Sequence, residues 1–258
     1  VDSIVQHFWI DKIKYGKSIL RISDKNVFRK INPNLKKMEN KLADKVDSII
    51  YTAKSLAPYL SKYGNKLVYI PNGVDIEHFL KSDKTMPKEL KNVPRPIAIY
   101  VGAIDEWFGF DFLLEVVQKC RDMSFVLIGN AKIDISKLRK QRNVYYLGKR
   151  NYSEIPKYIY NSDVGIITFD IQHPVVESVN PLKLYEYMAC GLPVVATKWK
   201  ELELINSPAY LAEDPDDFVN GLKNALQEKD KSKYIEFAKN NTWVERYRRL
   251  SKICLNSK

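Results

Sequence analysis

Short apolar runs separated by helical patterns dominate the chain from residue 95 onward. The runs are rich in β-branched and aromatic residues with little polar alternation, which is typical of strands buried on both faces of a sheet. In chain order they are IAIYVG, FVLIG, VYYLG, VGIITF, PVVAT and AYLA. The segments between them carry apolar residues every three or four positions, which indicates amphipathic helices. This alternation predicts an α/β fold with a parallel, doubly wound sheet.

The first part of the chain contains a shorter version of the same alternation. SILRIS, SIIYTA and KLVYIP predict strands, and NPNLKKMENKLADKV and KSLAPYLSKYG predict helices. We therefore predict two α/β units, a partial first unit over residues 1–84 and a larger second unit over 97–240. A lysine- and proline-rich linker over 85–96 joins them. Residues 241–258 predict a final helix with an apolar stripe.

Glycines end three of the strand-like runs in the second unit. Gly102, Gly129 and Gly148 follow the first, second and third run. Ligands of parallel sheets bind beyond the carboxyl ends of the strands, which is where these glycines fall. One such glycine is most simply a turn residue. Three of them at the same edge indicate a ligand cleft.

The segment VNPLKLYEYMACGLPVVAT, residues 179–197, predicts a helix that begins at this edge. Asn180 is predicted to cap the first turn and Pro181 to take the first helical position. The free amides of such a helix start can bind an anion. Lys183 follows in the first turn, where a cation is unfavourable unless an anion is present. The helix start therefore predicts a phosphate site.

Glu186 lies one turn after Lys183 on the same face of the predicted helix. A carboxylate there can accept hydrogen bonds from the vicinal hydroxyls of a ribose or another sugar. Phosphate contacts followed by hydroxyl contacts match the order of groups in a nucleotide sugar. The spacing is equally compatible with an exposed Lys–Glu pair that binds nothing.

Composition and charge narrow the possible partners. The chain has 258 residues, a net charge of +11 and three cysteines, which we interpret as reduced, buried thiols of a cytoplasmic protein. We expect no secretory leader and no membrane span. The basic residues are dispersed, which argues against nucleic acid and leaves two alternatives: a solvated surface, or contact with the anionic inner face of a membrane. Trp9 and Tyr15 motivate the membrane alternative.

NPLKLYEYMACGLPVVAT resembles the donor-site signature of GT-B glycosyltransferases, especially the retaining family 4 (group 1) type and its bacterial surface-polysaccharide branch. Four further segments resemble that family in the same order: ADKVDSIIYTAKSLAPYL, VYIPNGVDIEHF, IYVGAIDEWFGFDFLLEVV and TWVERYRRL. The resemblance implies two Rossmann-like domains, the first of them incomplete here, and a last helix that crosses back to the first domain. It implies hexosyl transfer from a UDP or GDP sugar to a polysaccharide or lipid-linked acceptor. No cofactor or metal is expected, and the acidic run at 213–217 is better explained as a helix cap.

The resemblance also assigns roles to single residues. Lys183 would contact the donor diphosphate and Glu186 the ribose hydroxyls, and the base would lie near Lys149 and Arg150. The full set of expected donor-binding residues is Gly102, Ala103, Ile104, Gly129, Asn130, Gly148, Lys149, Arg150, Asn180, Pro181, Leu182, Lys183, Leu184 and Glu186.

Asp24 is a candidate catalytic or acceptor-orienting acid, with a cap or turn residue as the alternative. The family often has a glutamate where this chain has Ser178, so the adjacent Glu177 is the second catalytic candidate. The loop AIDEWFGF lacks an arginine and a lysine that many members carry, and one diphosphate contact is expected to be missing. An inverting branch shares the lysine helix, so the stereochemistry stays open. A non-catalytic nucleotide-sugar-binding module and a sugar-nucleotide epimerase remain alternatives.

Overall fold

The computed structural model describes residues 4–23 and 34–255, which form two parallel β-sheets. The smaller sheet has the strand order β1-β2-β3, and the larger has the order β6-β5-β4-β7-β8-β9. The strands are β1 Ile19–Ile22, β2 Ser48–Tyr51, β3 Leu67–Tyr69, β4 Ile97–Val101, β5 Ser124–Ile128, β6 Val144–Gly148, β7 Val164–Ile167, β8 Val194–Thr197 and β9 Tyr210–Ala212. All of them coincide with the predicted apolar runs to within two residues at each end, and the predicted α/β class is confirmed.

The helices lie between these strands. They are α1 Leu35–Lys45, α2 Ala57–Leu60, α3 Ile76–Leu80, α4 Phe110–Lys119, α5 Ser136–Arg139, α6 Ile155–Tyr160, α7 Leu182–Ala189, α8 Lys200–Ile205, α9 Pro215–Gln227, α10 Ser232–Lys239 and α11 Trp243–Leu255. The helix predicted for KSLAPYLSKYG is wrong as a single element. It is divided into the 3-10 helices Lys54–Leu56 and Ser61–Lys66 with one turn of α2 between them, and Gly64 interrupts the second with φ +46°. Over the described residues, no helix is both long and apolar enough to span a membrane.

Both faces of the six-stranded sheet are covered by apolar side chains. Alternate residues of β4 point to opposite sides, with Ile97 and Ile99 in one core cluster and Ala98 and Tyr100 in the other. From β4 the strand order runs to β5 and β6 on one side and to β7, β8 and β9 on the other. The order therefore reverses between β4 and β7, and such a switch point opens a crevice beyond the carboxyl ends of the two strands.

The segments outside the two sheets pack against them. Leu90 and Val93, within the predicted linker 85–96, are buried in the core of the second unit. Helix α11 contacts the first unit, because Arg246 Nε donates to the main-chain oxygen of Asn72 at 3.2 Å. The linker is therefore part of the packed structure.

A polar network joins the two units. Asn72 accepts from Arg21 of β1 at 2.9 Å through Oδ1 and donates through Nδ2 to the main-chain oxygen of Asn180 at 2.8 Å. Glu201 is fully buried and accepts from the Ser55 amide at 2.9 Å and from Asn180 Nδ2 at 3.4 Å. A buried carboxylate keeps such partners because losing them would leave it unsolvated. Asn180, just before α7, is thereby anchored to the first unit.

The cysteines differ in exposure. Cys120 is buried and Cys190 is half-buried, but Cys254 is exposed on α11. The expectation of a buried thiol is therefore wrong for Cys254, because the last turn of α11 presents that position to solvent.

The strand ends leave no room for a side chain at Gly129, since a Cβ there would lie 1.8 Å from the main-chain oxygen of Gly102 and φ is +149°. We expect Gly129→Ala to lower the free energy of unfolding by at least about 2 kcal/mol. Urea denaturation followed by circular dichroism measures it. Gly16→Ala is the control, because a Cβ at Gly16 meets nothing within 4 Å. Equal stability of the two variants would contradict this packing.

Candidate functional site

The three predicted glycines lie at the carboxyl edge of the larger sheet, and Gly102 follows β4 at the switch point. The Gly102 amide donates to Ile128 O at 2.9 Å, and the Gly129 amide donates to Gly148 O at 3.0 Å. The carboxyl ends of β4, β5 and β6 therefore lie side by side, and the three glycines meet at one edge of the sheet.

Helix α7 begins at the same edge, one residue later than the sequence predicted. Pro181 takes the N-cap position with an extended backbone (φ −79°, ψ 122°), and no side chain caps the helix. The prediction that Asn180 caps it is wrong, because its side chain is held in the interior. There its Oδ1 accepts from the Tyr185 hydroxyl at 2.9 Å and its Nδ2 donates to Glu201.

The missing cap leaves main-chain donors open in the first turn. Among the described residues, the amides of Leu182 and Lys183 have no hydrogen-bond partner, while the Leu184 amide donates to Pro181 O at 3.2 Å. The Leu184 amide, which was expected to assist at the donor site, is therefore engaged within the helix, and the Leu184 side chain is fully buried. An asparagine cap would have occupied one of these donors, so the diversion of Asn180 favours anion binding here.

The ammonium of Lys183 lies in the crevice. Its Nζ is 3.6 Å from the centroid of the Tyr100 ring and 5.1 Å from that of Phe169. Within the described part of the chain it makes no salt bridge, and burial lowers the pKa of Lys183 to about 7 although Glu186 opposes the shift. Gly102 provides the space, because a Cβ there would lie 2.6 Å from Nζ. The site is thus a cation held by aromatic ring faces, without a counter-ion.

Tyr187 fixes α7 close to the sheet. Its hydroxyl accepts the Val101 amide of β4 at 2.7 Å. Its ring lies over Gly165 of β7, where a Cβ would come within 2.5 Å of a ring carbon. Because Gly165 has no side chain, the helix approaches the strands and Lys183 reaches the crevice.

Glu186 lies half-buried one turn further along α7. Its Oε1 accepts from the Tyr152 hydroxyl at 3.1 Å, and the Tyr152 ring stacks on His78 with 4.6 Å between centroids and 10° between planes. Burial raises the pKa of Glu186, while Tyr152, Lys183 and His78 lower it. Tyr152 and His78 are not among the site residues expected from the sequence. The position of Tyr152, four residues after the strand end at Gly148, could have indicated it, but no sequence pattern indicates His78.

Arg150, expected near the base, is occupied within the protein. Its Nε donates to the Tyr158 hydroxyl at 3.1 Å and its Nη2 pairs with Glu89 at 3.1 Å. Glu89 belongs to the linker, so the guanidinium ties the linker to the second unit. These contacts engage the Arg150 guanidinium within the protein and do not favour its expected role beside the nucleotide base.

The other residues expected to line the donor site differ in the solvent exposure of their side chains. Ala103, Asn130 and Lys149 are exposed at the sheet edge. Ile104 is fully buried, and its amide donates to Asn130 O at 3.0 Å. The Ile104 carbonyl accepts from the Lys132 amide at 2.8 Å, so both backbone groups of Ile104 are engaged within the protein.

The two candidate catalytic residues are Asp24 and Glu177. Asp24 lies outside the described residues. Glu177 is exposed on the 3-10 helix Val176–Ser178, and Ser178 is fully buried. Of Glu177 and Ser178, only the Glu177 side chain faces solvent.

The acidic run at 213–217 caps a helix. The Asp214 side chain accepts from the Asp217 amide at 2.8 Å at the start of α9, which confirms the predicted cap. No group of three or more His, Cys, Asp or Glu residues in the described ranges is arranged to hold a metal ion.

Comparison with known families agrees with this architecture. The family model described as "Glycosyl transferases group 1" matches residues 95–228, just over half of the chain. The chain belongs to the group 1 glycosyl transferases. The match contains the switch point, Lys183 and Glu186, and the predicted resemblance to this family is confirmed.

Two relatives of this group 1 family member come from bacteria. TuaH of Bacillus subtilis, provisionally named a teichuronic acid biosynthesis glycosyltransferase, is 26% identical over 219 residues and covers 80% of this chain. An uncharacterised 41.2 kDa protein in the cps region of Klebsiella pneumoniae is 27% identical over 238 residues and covers 82%. The chain spans 55% and 64% of the lengths of these two relatives.

The fold of this chain matches solved GT-B structures. The crystal structure of Anabaena Alr3699/HepE in complex with UDP superposes with a TM-score of 0.75 at 17% identity, covering 97% of this chain and 75% of that one. The predicted Rossmann-like GT-B architecture is confirmed by this likeness.

The unpaired ammonium has a pH-dependent effect on stability. The pKa of Lys183 is about 7 in the folded chain and 10.5 ordinarily, so the unfolded state binds more protons between these values and stability rises with pH across that window. Lys183→Met should therefore raise the free energy of unfolding by about 1 kcal/mol at pH 6, with a smaller gain at pH 10. Urea denaturation at both pH values measures it. Lys223→Met, on the exposed face of α9, should leave the free energy of unfolding unchanged at both pH values. If Lys183→Met raised this free energy equally at both pH values, the result would contradict the burial of Lys183.

Proposed function

We propose that the chain binds a nucleoside-diphosphate sugar of the UDP or GDP type and transfers the sugar to a hydroxyl of a polysaccharide or lipid-linked acceptor. The carrying observation is the unpaired Lys183 ammonium beside the open amides of α7 at the switch point. Family membership supports the transfer chemistry. The names of TuaH and of the UDP-bound HepE structure support a surface-polysaccharide acceptor and a nucleotide donor.

In this proposal the diphosphate lies against α7. The amides of Leu182 and Lys183 donate to its oxygens. The ammonium neutralises the negative charge of the diphosphate, which a metal ion neutralises in other enzymes. Glu186, one turn away, accepts from the ribose hydroxyls. No direct ion pair has to break when the anion arrives, because no carboxylate of the described residues lies at salt-bridge distance from Lys183, and Glu186 acts on it only through its charge.

Asp24 is assigned to the acceptor side, as a catalytic or orienting acid for the attacking hydroxyl, and Glu177 is assigned the catalytic role of the glutamate that the family often has at the Ser178 position. Retention of the anomeric configuration is the stereochemistry of the resembling family, and we extend it to this chain. The anomeric configuration of the product, read by proton NMR, tests that extension.

Lys183→Met should weaken UDP binding by about 10- to 100-fold, the worth of one charge-assisted hydrogen bond. Because the free ammonium loses its proton near pH 7, wild-type affinity should fall as the pH rises above that value. Isothermal titration calorimetry with UDP and GDP at pH 6 and pH 8.5 measures both effects. Lys223→Met is the control, and unchanged affinity in Lys183→Met would show that the ammonium is not a ligand.

The rival functions differ in their products. Incubation with UDP- and GDP-sugars, with and without acceptor glycans, separates them. Transfer to an acceptor supports the proposal. Binding without transfer or donor hydrolysis supports a non-catalytic module, and a new nucleotide sugar formed from the donor alone supports an epimerase.

We further propose that the first unit contacts an anionic membrane surface at the inner face. Trp9, Ile13 and Tyr15 are 47%, 54% and 51% exposed, and the neighbouring Lys12 and Lys14 are exposed too. Aromatic rings favour the interface of a bilayer, and each nearby lysine adds about 1 kcal/mol of attraction to anionic lipid.

Replacing both Lys12 and Lys14 by glutamate should reduce binding to vesicles containing phosphatidylglycerol by about 10-fold or more. Sedimentation with these vesicles, and with phosphatidylcholine vesicles alone, measures the effect. The matched control replaces the exposed Lys36 and Lys37 on α1 by glutamate. Equal sedimentation of the wild type with both vesicle types would overturn the electrostatic contact.

A further inference from the structure

A small cluster beside the proposed donor site joins three separate parts of the chain. His78 comes from α3, Tyr152 from the 3-10 helix after β6, and Glu186 from α7. Tyr152 stacks on His78 and donates its hydroxyl to Glu186 Oε1 at 3.1 Å. His78 Nε2 also lies 3.3 Å from Tyr152 O, so the ring pair is held by a polar contact as well.

The hydrogen bond uses only one oxygen of the Glu186 carboxylate. Among the described residues, Oε2 of Glu186 has no hydrogen-bond partner. A carboxylate can accept several hydrogen bonds, so the second oxygen stays available to a ligand. Meanwhile, the bond at Oε1 restricts the rotation of a long side chain, which would otherwise lose that freedom when a ligand binds.

The stacking partner gives the tyrosine a fixed position. Tyr152 is 53% exposed, and its ring also meets Phe79 edge-on at 6.1 Å between centroids. A ring so exposed would be free to rotate if α3 did not cover it. His78 and Phe79 therefore hold the hydroxyl where it can reach Glu186.

We propose that Tyr152 is a positioning residue, which holds the Glu186 carboxylate so that its free oxygen meets the ribose hydroxyls of the donor, with His78 as the support for its ring. The inference rests on the proposed function, because it presumes that a nucleotide occupies the crevice. In this proposal, the specificity for ribonucleotides comes from the contact of Tyr152, in the segment that follows β6, with Glu186 on α7.

The test compares a nucleotide that has the ribose hydroxyls with one that lacks them. Calorimetric titrations use UDP and 2′,3′-dideoxyuridine 5′-diphosphate, and the corresponding guanosine pair, against the whole chain. We expect Tyr152→Phe to lose about 3- to 10-fold in affinity for the ribonucleotide and little for the dideoxy analogue, since one hydrogen bond is removed. A role limited to shaping the crevice would lower both affinities equally, and that result would overturn the inference.

Four further substitutions sharpen the test. In a Glu186→Gln background, Tyr152→Phe should cost less than in the wild type, because the two changes act on one contact. His78→Ala should reduce the preference for ribonucleotides, and His78→Phe should restore it by keeping the stack. Tyr210→Phe is the matched control, because Tyr210 also donates to a carboxylate, that of Asp217, away from α7.

The outcomes separate this inference from the proposed function. If the wild type binds none of the four nucleotides, the proposed function fails and the inference fails with it. If the wild type prefers ribonucleotides and Tyr152→Phe keeps the full preference, the inference alone fails. Circular dichroism and thermal unfolding of each variant show whether a lost affinity reflects lost folding.

Discussion

An ammonium without a counter-ion lies at the carboxyl edge of the larger sheet, and the features around it depend on that charge. Lys183 rests on the face of Tyr100 and meets no carboxylate at salt-bridge distance within the described residues. Removing a cation from water is costly, and an aromatic face compensates only in part. The packing of Tyr187 over Gly165 holds α7 in place and keeps the ammonium there. The corner therefore holds a positive charge that no described residue pairs at salt-bridge distance.

The start of α7 combines two structural demands. Asn180 could have capped the helix, but its side chain and carbonyl are used in the network with Asn72 and Glu201 that joins the two units. The helix thereby loses a cap that is typically worth about 1 kcal/mol. In exchange, the first-turn amides remain open beside Lys183, and the donor helix is tied to the unit proposed to face the acceptor. Movement of one unit relative to the other would act directly on this helix.

The orientation of the Glu186 carboxylate depends on two residues, Tyr152 and His78, that lie behind it. Tyr152 and His78 come from segments that flank the crevice, and neither is on α7. Their stack and hydrogen bond order a side chain that is otherwise flexible. Preorganisation of this kind improves recognition without adding a contact to the ligand, because the entropy of ordering is lost on folding and not on binding.

The sequence by itself determined the strands, the parallel α/β class and the common helix face of Lys183 and Glu186, because these follow from patterns within a few residues. Tertiary structure alone decided that the Asn180 side chain leaves its helix for Glu201, 21 residues away, and that Tyr152 reaches Glu186, 34 residues away. Apolar periodicity fixes which face of an element is buried. The partner of a polar side chain depends instead on which distant segments packing brings within about 3 Å of it.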